Sequence, residues 1–272
     1  MAEPSWSKIG DGGTAEIFLD EYGRVVKLFR EWFRQEGEDY EYRKSVWAYE
    51  QGLPTAEPLG RAQYDGREAI LLQKIEGESL LQRLQREPHT AAEAAQKFAA
   101  YQVQLNNREA STLGDSQRER LVQRLARAEQ LNDAERAAVQ AQLQQLPDGK
   151  RLCHGDFHPG NMMENEQGWQ VIDWIDATCG HPLYDVARTL LLLGFGTEAG
   201  GPRGNMEEDA AVFRQAYLKT YLELTGFEES DVKRWMLPVA AIRLIEPIPE
   251  SEKDKLLGLI RAQLSGTDGK CR

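Results

Sequence analysis

Cysteine is scarce: the 272-residue chain holds three, Cys153, Cys179 and Cys271. Thiols spread this far apart make neither a disulfide framework nor the paired spacing of a zinc site. Cys153 lies in an apolar context and reads as a core residue, and Cys271 as part of a frayed tail. Long apolar runs are missing as well. Leu190 to Leu193 is far shorter than the roughly 20 residues that cross a bilayer, and the segment from Met1 to Lys8 has no basic-then-apolar leader. A cytoplasmic protein with no membrane partner is therefore expected. Positive charge is in deficit: the formal net charge is -11 at pH 7, which argues against a nucleic-acid or anionic-lipid partner. The same charge suits a cationic substrate, and equally an acidic cytosolic protein with no such substrate. There is no internal repeat, and nothing in the sequence speaks to oligomeric state.

What is present is an ordinary globular composition, 41% apolar and 28% charged, long enough for one large core or two modest ones. The most informative stretch is Leu152-Cys153-His154-Gly155-Asp156-Phe157-His158-Pro159-Gly160-Asn161, followed by Val171-Ile172-Asp173-Trp174. Two carboxylates and a neutral amide oxygen, on a tight loop and the strand after it, suit one task. Asn161 and Asp173 can hold Mg²⁺ against the phosphates of a nucleotide while Asp156 orients an attacking hydroxyl. Protein kinases keep the same Asp-to-Asn spacing in H-R-D-x-x-x-x-N, with D-F-G downstream.

Near the N-terminus, Ile9 to Phe18 contains a glycine-rich turn entering a strand. Ala15 to Leu19 and Arg24 to Phe29 read as a hairpin around Asp20-Glu21-Tyr22-Gly23. Backbone N–H groups at Gly12 and Gly13 would then be able to approach phosphates closely, although the glycines fit equally well in a bare turn. Lys27 sits in the second strand between Val26 and Leu28, which face opposite to it. There it can pair with the α- and β-phosphates. A helix is expected from about Glu36 to Gln51, and two more strands at Gly60 to Tyr64 and Glu68 to Ile75 around the Asp65-Gly66 turn. Beyond Leu80 the pattern is helical. Capping boxes are expected at Thr90-Glu93, Ser116-Glu119 and Asn132-Glu135, the second opening a helix to about Leu131. Further helices are expected over Asp185 to Leu193, Glu207 to Thr225, Ser230 to Ile245 and Glu250 to Leu264. Asp185 could cap its helix or anchor the catalytic loop.

Gly155 in place of the kinase Arg, Trp174 after the second Asp, and the run Asp173 to Ala187 resemble the aminoglycoside phosphotransferase/choline kinase family. That family carries D-W-x-x-A-x-x-G-x-P-x-x-D-L-A here, against which this chain has Val186 for the Leu. The resemblance implies an α+β, bilobal protein-kinase-like fold, with a small antiparallel-sheet N-lobe and a larger helical C-lobe. Residues 1–75 would be the nucleotide-binding lobe and 76–272 the lobe with the catalytic loop and acceptor pocket. It also implies that a helix Glu pairs with Lys27, with Glu41 chosen ahead of Glu38, and that backbone groups of Gln73 to Ile75 bind adenine. The implied activity is transfer of the γ-phosphate of ATP, or GTP, with Mg²⁺. The acceptor would be a hydroxyl of an aminoglycoside-like molecule or another small amino alcohol or sugar.

His154 is read as a brace for the loop. His158 could touch the γ-phosphate, and Asp176 could be structural or near the cation. Glu207, Glu208 and Asp209 could meet ammonium groups or complete an acidic first helical turn. Two rival readings remain at this point. His154, Asp156, His158 and Asp173 could bind a transition metal in a hydrolase, or the chain could be a kinase-fold binding module without turnover.

Overall fold

The computed structural model describes residues 6–33, 35–195 and 206–268. Strands β1 (Ser7–Asp11), β2 (Ala15–Leu19) and β3 (Arg24–Phe29), helix α1 (Gln35–Glu50), and strands β4 (Pro58–Tyr64) and β5 (Arg67–Gln73) come first. The strands form one antiparallel sheet in the order β1-β2-β3-β5-β4. Local chemistry makes the turns. The Asp20 carboxylate accepts the N–H groups of Tyr22 at 3.0 Å and Arg24 at 2.8 Å, closing the β2–β3 hairpin as an Asx turn. Asp65 and Gly66 take φ of 50° and 77°, the two left-handed positions that a tight β4–β5 turn requires. The glycine-rich segment differs from expectation in one respect: it is preceded by the strand β1, which pairs with β2 through a bulge at Ile9.

Alternation along β3 sorts its side chains. Val26 and Leu28 join Ala69, Leu71, Trp6, Phe18 and Tyr64 on one face. Phe29 packs with Ala15 and Ile70 on the other, where Tyr42 of α1 covers them. Lys27 is directed to that second face.

The chain continues through β6 (Glu78–Ser79), α2 (Leu80–Arg86), α3 (Ala91–Asn106), α4 (Gln117–Ala126), α5 (Asp133–Gln145) and β7 (Arg151–Cys153). A short 3-10 turn, Pro159–Asn161, leads into β8 (Met162–Asn165) and β9 (Gly168–Val171). After β10 (Thr178–Gly180) come α6 (Pro182–Phe195), α7 (Met206–Thr225), α8 (Glu229–Arg243) and α9 (Glu250–Asp268). Asn132 and Glu135 form the expected capping box of α5, and Ser116 accepts from the Glu119 N–H at α4. Thr90 does not cap α3. Its hydroxyl bonds the Glu87 carbonyl in a 3-10 turn instead. Helix α4 ends at Ala126 rather than Leu131, because 3-10 bonds through Arg127 and Ala128 close it early.

Two compact units result. One comprises residues 1–82 with 159–176, the other 83–158 with 177–272. In the first, β6, β8 and β9 add a small antiparallel sheet. Gly77 enters it with φ of 115°, where a Cβ would lie 2.1 Å from the Glu164 carbonyl oxygen. Only glycine fits there. In the second unit α3 packs along α7 and α6 against α8. Phe98, Phe157, Phe213 and Tyr217 meet in its core, and β7 pairs with β10. No helix among the described residues is long and apolar enough to cross a membrane.

Candidate active site

Two sets of the expected residues can be built up, one in each unit. In the first, Lys27 is 7% exposed and its Nζ lies 2.5 Å from Glu41 Oε1 and 3.1 Å from Asp173 Oδ1. Burial alone would lower the Lys27 pKa, but the charges of Asp173 and Glu41 outweigh it and hold the ammonium above its ordinary value. Burial pushes the Glu41 carboxyl up to about 7 against the pull of Lys27, and Asp173 and Asp176 push it further. Helix α1 reaches the same segment twice. One turn after Glu41, the buried Lys44 donates to the Ile175 carbonyl at 3.0 Å, and its ammonium lies over the Tyr40 ring. The Trp174 indole N–H bonds Thr55 Oγ1 at 2.9 Å. These ties hold Asp173, which has φ of 67°, a left-handed conformation that non-glycine residues seldom adopt.

Asn161 arrives beside Asp173 by strand pairing. Met162 pairs with Val171 across β8–β9, and one residue further on the Ile172 N–H donates to the Asn161 carbonyl at 3.0 Å. The two expected ligands therefore stand at the same end of one hairpin. A carboxylate and an amide are hard oxygen donors, the kind Mg²⁺ takes, so the donor set fits that ion.

In the second unit Asp156 follows Gly155, whose φ of 79° makes the sharp turn of the loop. The loop backbone is held from below. Asp185 of α6 accepts the N–H groups of Gly155 at 2.6 Å and His154 at 3.1 Å. Asn106 of α3 bonds both Asp185 and the Leu152 carbonyl, and Thr189 bonds the Phe157 carbonyl. Asp185 is thus the anchor of the loop. His154 is 1% exposed, and its Nδ1 accepts the Asp156 N–H at 3.2 Å, a brace as expected. His158 Nε2 lies 3.5 Å from Asp156 Oδ2. Burial would raise the Asp156 pKa, but His158, Arg188 and His154 hold its carboxyl well below the usual range.

The remaining expected residues are placed as follows. Gly12 and Gly13 lie in the β1–β2 loop, where the Gly12 N–H bonds the Ala15 carbonyl at 2.8 Å. Gln73 ends β5, with its N–H on the Glu57 carbonyl, and Ile75 follows it, half-buried. Asp176 is half-buried. The side chains of Glu38 and Glu207 lie outside the described residues, as does the glycine-rich stretch 196–205. Glu208 and Asp209 fall in the first turn of α7.

The hydrolase alternative gets no support from this geometry. His154 Nδ1 is committed to the loop backbone, and no group of three His, Cys, Asp or Glu among the described residues is arranged to hold a metal. Lys44, Asn106 and Arg188 are site residues that reasoning on motifs missed. Lys44 and Arg188 each lie one helical turn beyond a residue already singled out, Glu41 and Asp185, and following those faces would have found them.

Comparison with solved structures gives the same architecture. An aminoglycoside-3'-phosphotransferase of type VIII is similar at 19% identity and a TM-score of 0.62, over 89% of this chain and 94% of that one. An aminoglycoside phosphotransferase from Streptomyces rimosus, in complex with ADP and streptomycin, is similar at 16% identity and a TM-score of 0.56, over 89% and 93%. A choline kinase from Cryptosporidium parvum is similar at 12% identity and a TM-score of 0.56, over 98% and 90%. No curated protein matches the sequence. Identities this low establish the protein-kinase-like fold. Residues 6–231, most of the chain, match the phosphotransferase enzyme family itself. This protein therefore belongs to that family and is a kinase that phosphorylates hydroxyl groups of small molecules.

Proposed function

We propose that the protein transfers the γ-phosphate of ATP, or of GTP, to a hydroxyl of an aminoglycoside-like molecule or another small amino alcohol or sugar. The observation that carries this reading is the buried Lys27 ammonium, clamped by Glu41 and touching Asp173. A cation so fixed is suited to the non-transferred phosphates. Residues 1–75 would bind the nucleotide, with Gly12 and Gly13 near the phosphates and the backbone from Gln73 to Ile75 at the base. Residues 76–272 would carry the catalytic loop and the acceptor pocket. Asn161 and Asp173 would hold Mg²⁺, which when bound neutralises charge on the phosphates.

Asp156 would accept the proton of the attacking hydroxyl. Its depressed pKa keeps it ionised and makes it a weak base, so its role is weighted toward orienting the hydroxyl. The relatives' names point to aminoglycosides and choline as acceptors, and the S. rimosus enzyme holds ADP. The net charge of -11 favours a cationic acceptor within that group. We place the reaction in the cytoplasm, where ATP and Mg²⁺ are abundant.

The test is acceptor-stimulated ADP release from MgATP, screened over aminoglycosides, choline, ethanolamine, amino sugars and neutral sugars. Asp156→Asn is expected to keep MgADP affinity and lose at least about a hundredfold in turnover. Near-normal turnover in that variant would remove Asp156 from the base position.

A further inference from the structure

Beneath the catalytic loop the second unit holds an ion network centred on Arg188 and Glu246. Arg188 of α6 is 2% exposed. Its Nε donates to the Gly155 carbonyl at 3.0 Å, and its Nη2 lies 2.8 Å from Glu246 Oε1 and 3.9 Å from Asp156 Oδ1. Glu246, just past the end of α8, is 10% exposed and also meets Arg243 at 2.5 Å and Arg124 at 3.2 Å. Arg243 in turn pairs with Glu252 of α9 at 3.0 Å.

The network extends to the loop. Three guanidinium groups, Arg124, Arg188 and Arg243, face two glutamates, Glu246 and Glu252. Asp156 is the third carboxylate in reach. A fixed guanidinium at this distance favours an ionised Asp156 facing Arg188. Guanidinium geometry adds direction. Nε and Nη2 lie along one edge of a rigid planar fork, and here that edge spans the Gly155 carbonyl and the Glu246 carboxylate. Fixing both fixes the peptide immediately before Asp156. Nη1, on the opposite side, has no hydrogen-bond partner among the described residues. The group is therefore oriented for the loop and for Glu246 rather than for full satisfaction of its donors.

We propose that Arg188 is a positioning residue for phosphoryl transfer. It sets the Asp156 carboxylate through the Gly155 carbonyl and by its own charge, and Glu246 holds it in place from the end of α8. The inference rests on the reading of Asp156 as the hydroxyl-orienting base. A displaced base slows the chemical step without changing nucleotide binding, so the expected signature is a loss in kcat at constant KM for MgATP.

The experiment measures ADP release from MgATP with the most active acceptor of the screen above. Rates are expressed per MgADP-binding site titrated by calorimetry, so that unfolded protein does not count. Arg188→Gln is expected to lower kcat about ten- to a hundredfold, the scale of a small misplacement of a catalytic group, with KM for MgATP within about twofold. Arg188→Lys keeps the charge but not the fork, and is expected to recover part of the loss. If Arg188→Gln fails to bind MgADP, Glu246→Gln decides: a loss of at least about threefold in kcat per site supports the inference, and an unchanged kcat overturns it. Full turnover in Asp156→Asn would remove the base, and the inference falls with it. An inactive Asp156→Asn beside an Arg188→Gln of unchanged kcat overturns the inference alone.

Discussion

Lys27 shows how much one side chain depends on its neighbours. Its position in a strand between Val26 and Leu28 was readable, because alternation alone turns it away from them. The pairing with Glu41 was implied by the family resemblance alone, and that Asp173 reaches the same ammonium was not readable, since these residues are far apart in sequence and meet only when α1 and the segment after β9 pack on the same sheet face. Lys27→Ala is expected to reduce kcat/KM for MgATP at least about tenfold while the protein still folds. The reason is the pKa of Glu41 near 7: a carboxyl so disposed can take up a proton once its partner is gone and avoid a stranded buried charge. Steady-state kinetics beside a thermal melt checks both halves, and an unchanged kcat/KM would make Lys27 an ordinary strand lysine. Glu41 also predicts a pH effect. Its folded pKa of about 7 lies above the value of 4.5 ordinary for a glutamate, so between these values the folded state binds the extra proton. Its contribution is therefore fully present below about pH 4.5 and is lost as pH rises through about 7. The stability of the native protein relative to Glu41→Gln, from urea unfolding in a pH series, is expected to fall across that window. A rise instead would mean that pairing with Lys27 outweighs burial.

Elements were legible where the chemistry is local. The β2–β3 and β4–β5 hairpins, and the capping box of α5, are specified by residues a few positions apart, so a turn or a cap can be read without a tertiary context. Asn132→Ala removes the acceptor for the Glu135 N–H at 2.9 Å and is expected to destabilise the protein by about 1 kcal/mol without altering kinetics. An equilibrium melt checks it. The misjudged elements are those whose limits depend on packing. Strand β1 needs β2 as a neighbour before its glycine-rich sequence is held extended, and α4 stops at Ala126 although Leu131 continues its apolar stripe. Gly77 belongs here as well. Its glycine is required by the Glu164 carbonyl across β6–β8, a contact invisible from the residues around it.

At the scale of the molecule, the chain leaves one compact unit and returns to it, carrying Asn161 and Asp173 to the sheet that holds Lys27. A ligand that binds only the folded state raises its stability, by about 2.7 kcal/mol at a hundredfold excess over Kd. MgADP is therefore expected to raise the melting temperature of the native protein, and to do so much less for Asp173→Asn or when Mg²⁺ is removed with EDTA. Equal shifts in all three would take Asp173 out of metal binding. By itself the sequence determined the family resemblance, the hairpins and most helices, and singled out Lys27, Asp156, Asn161 and Asp173. These rest on motif spacing and turn chemistry within short stretches. Only the tertiary structure decided that Glu41 and Asp173 share one ammonium, that Asp185 anchors the loop, and that Arg188 and Glu246 sit beneath it. Those contacts join residues distant along the chain, and burial and packing, which no local pattern encodes, bring them together.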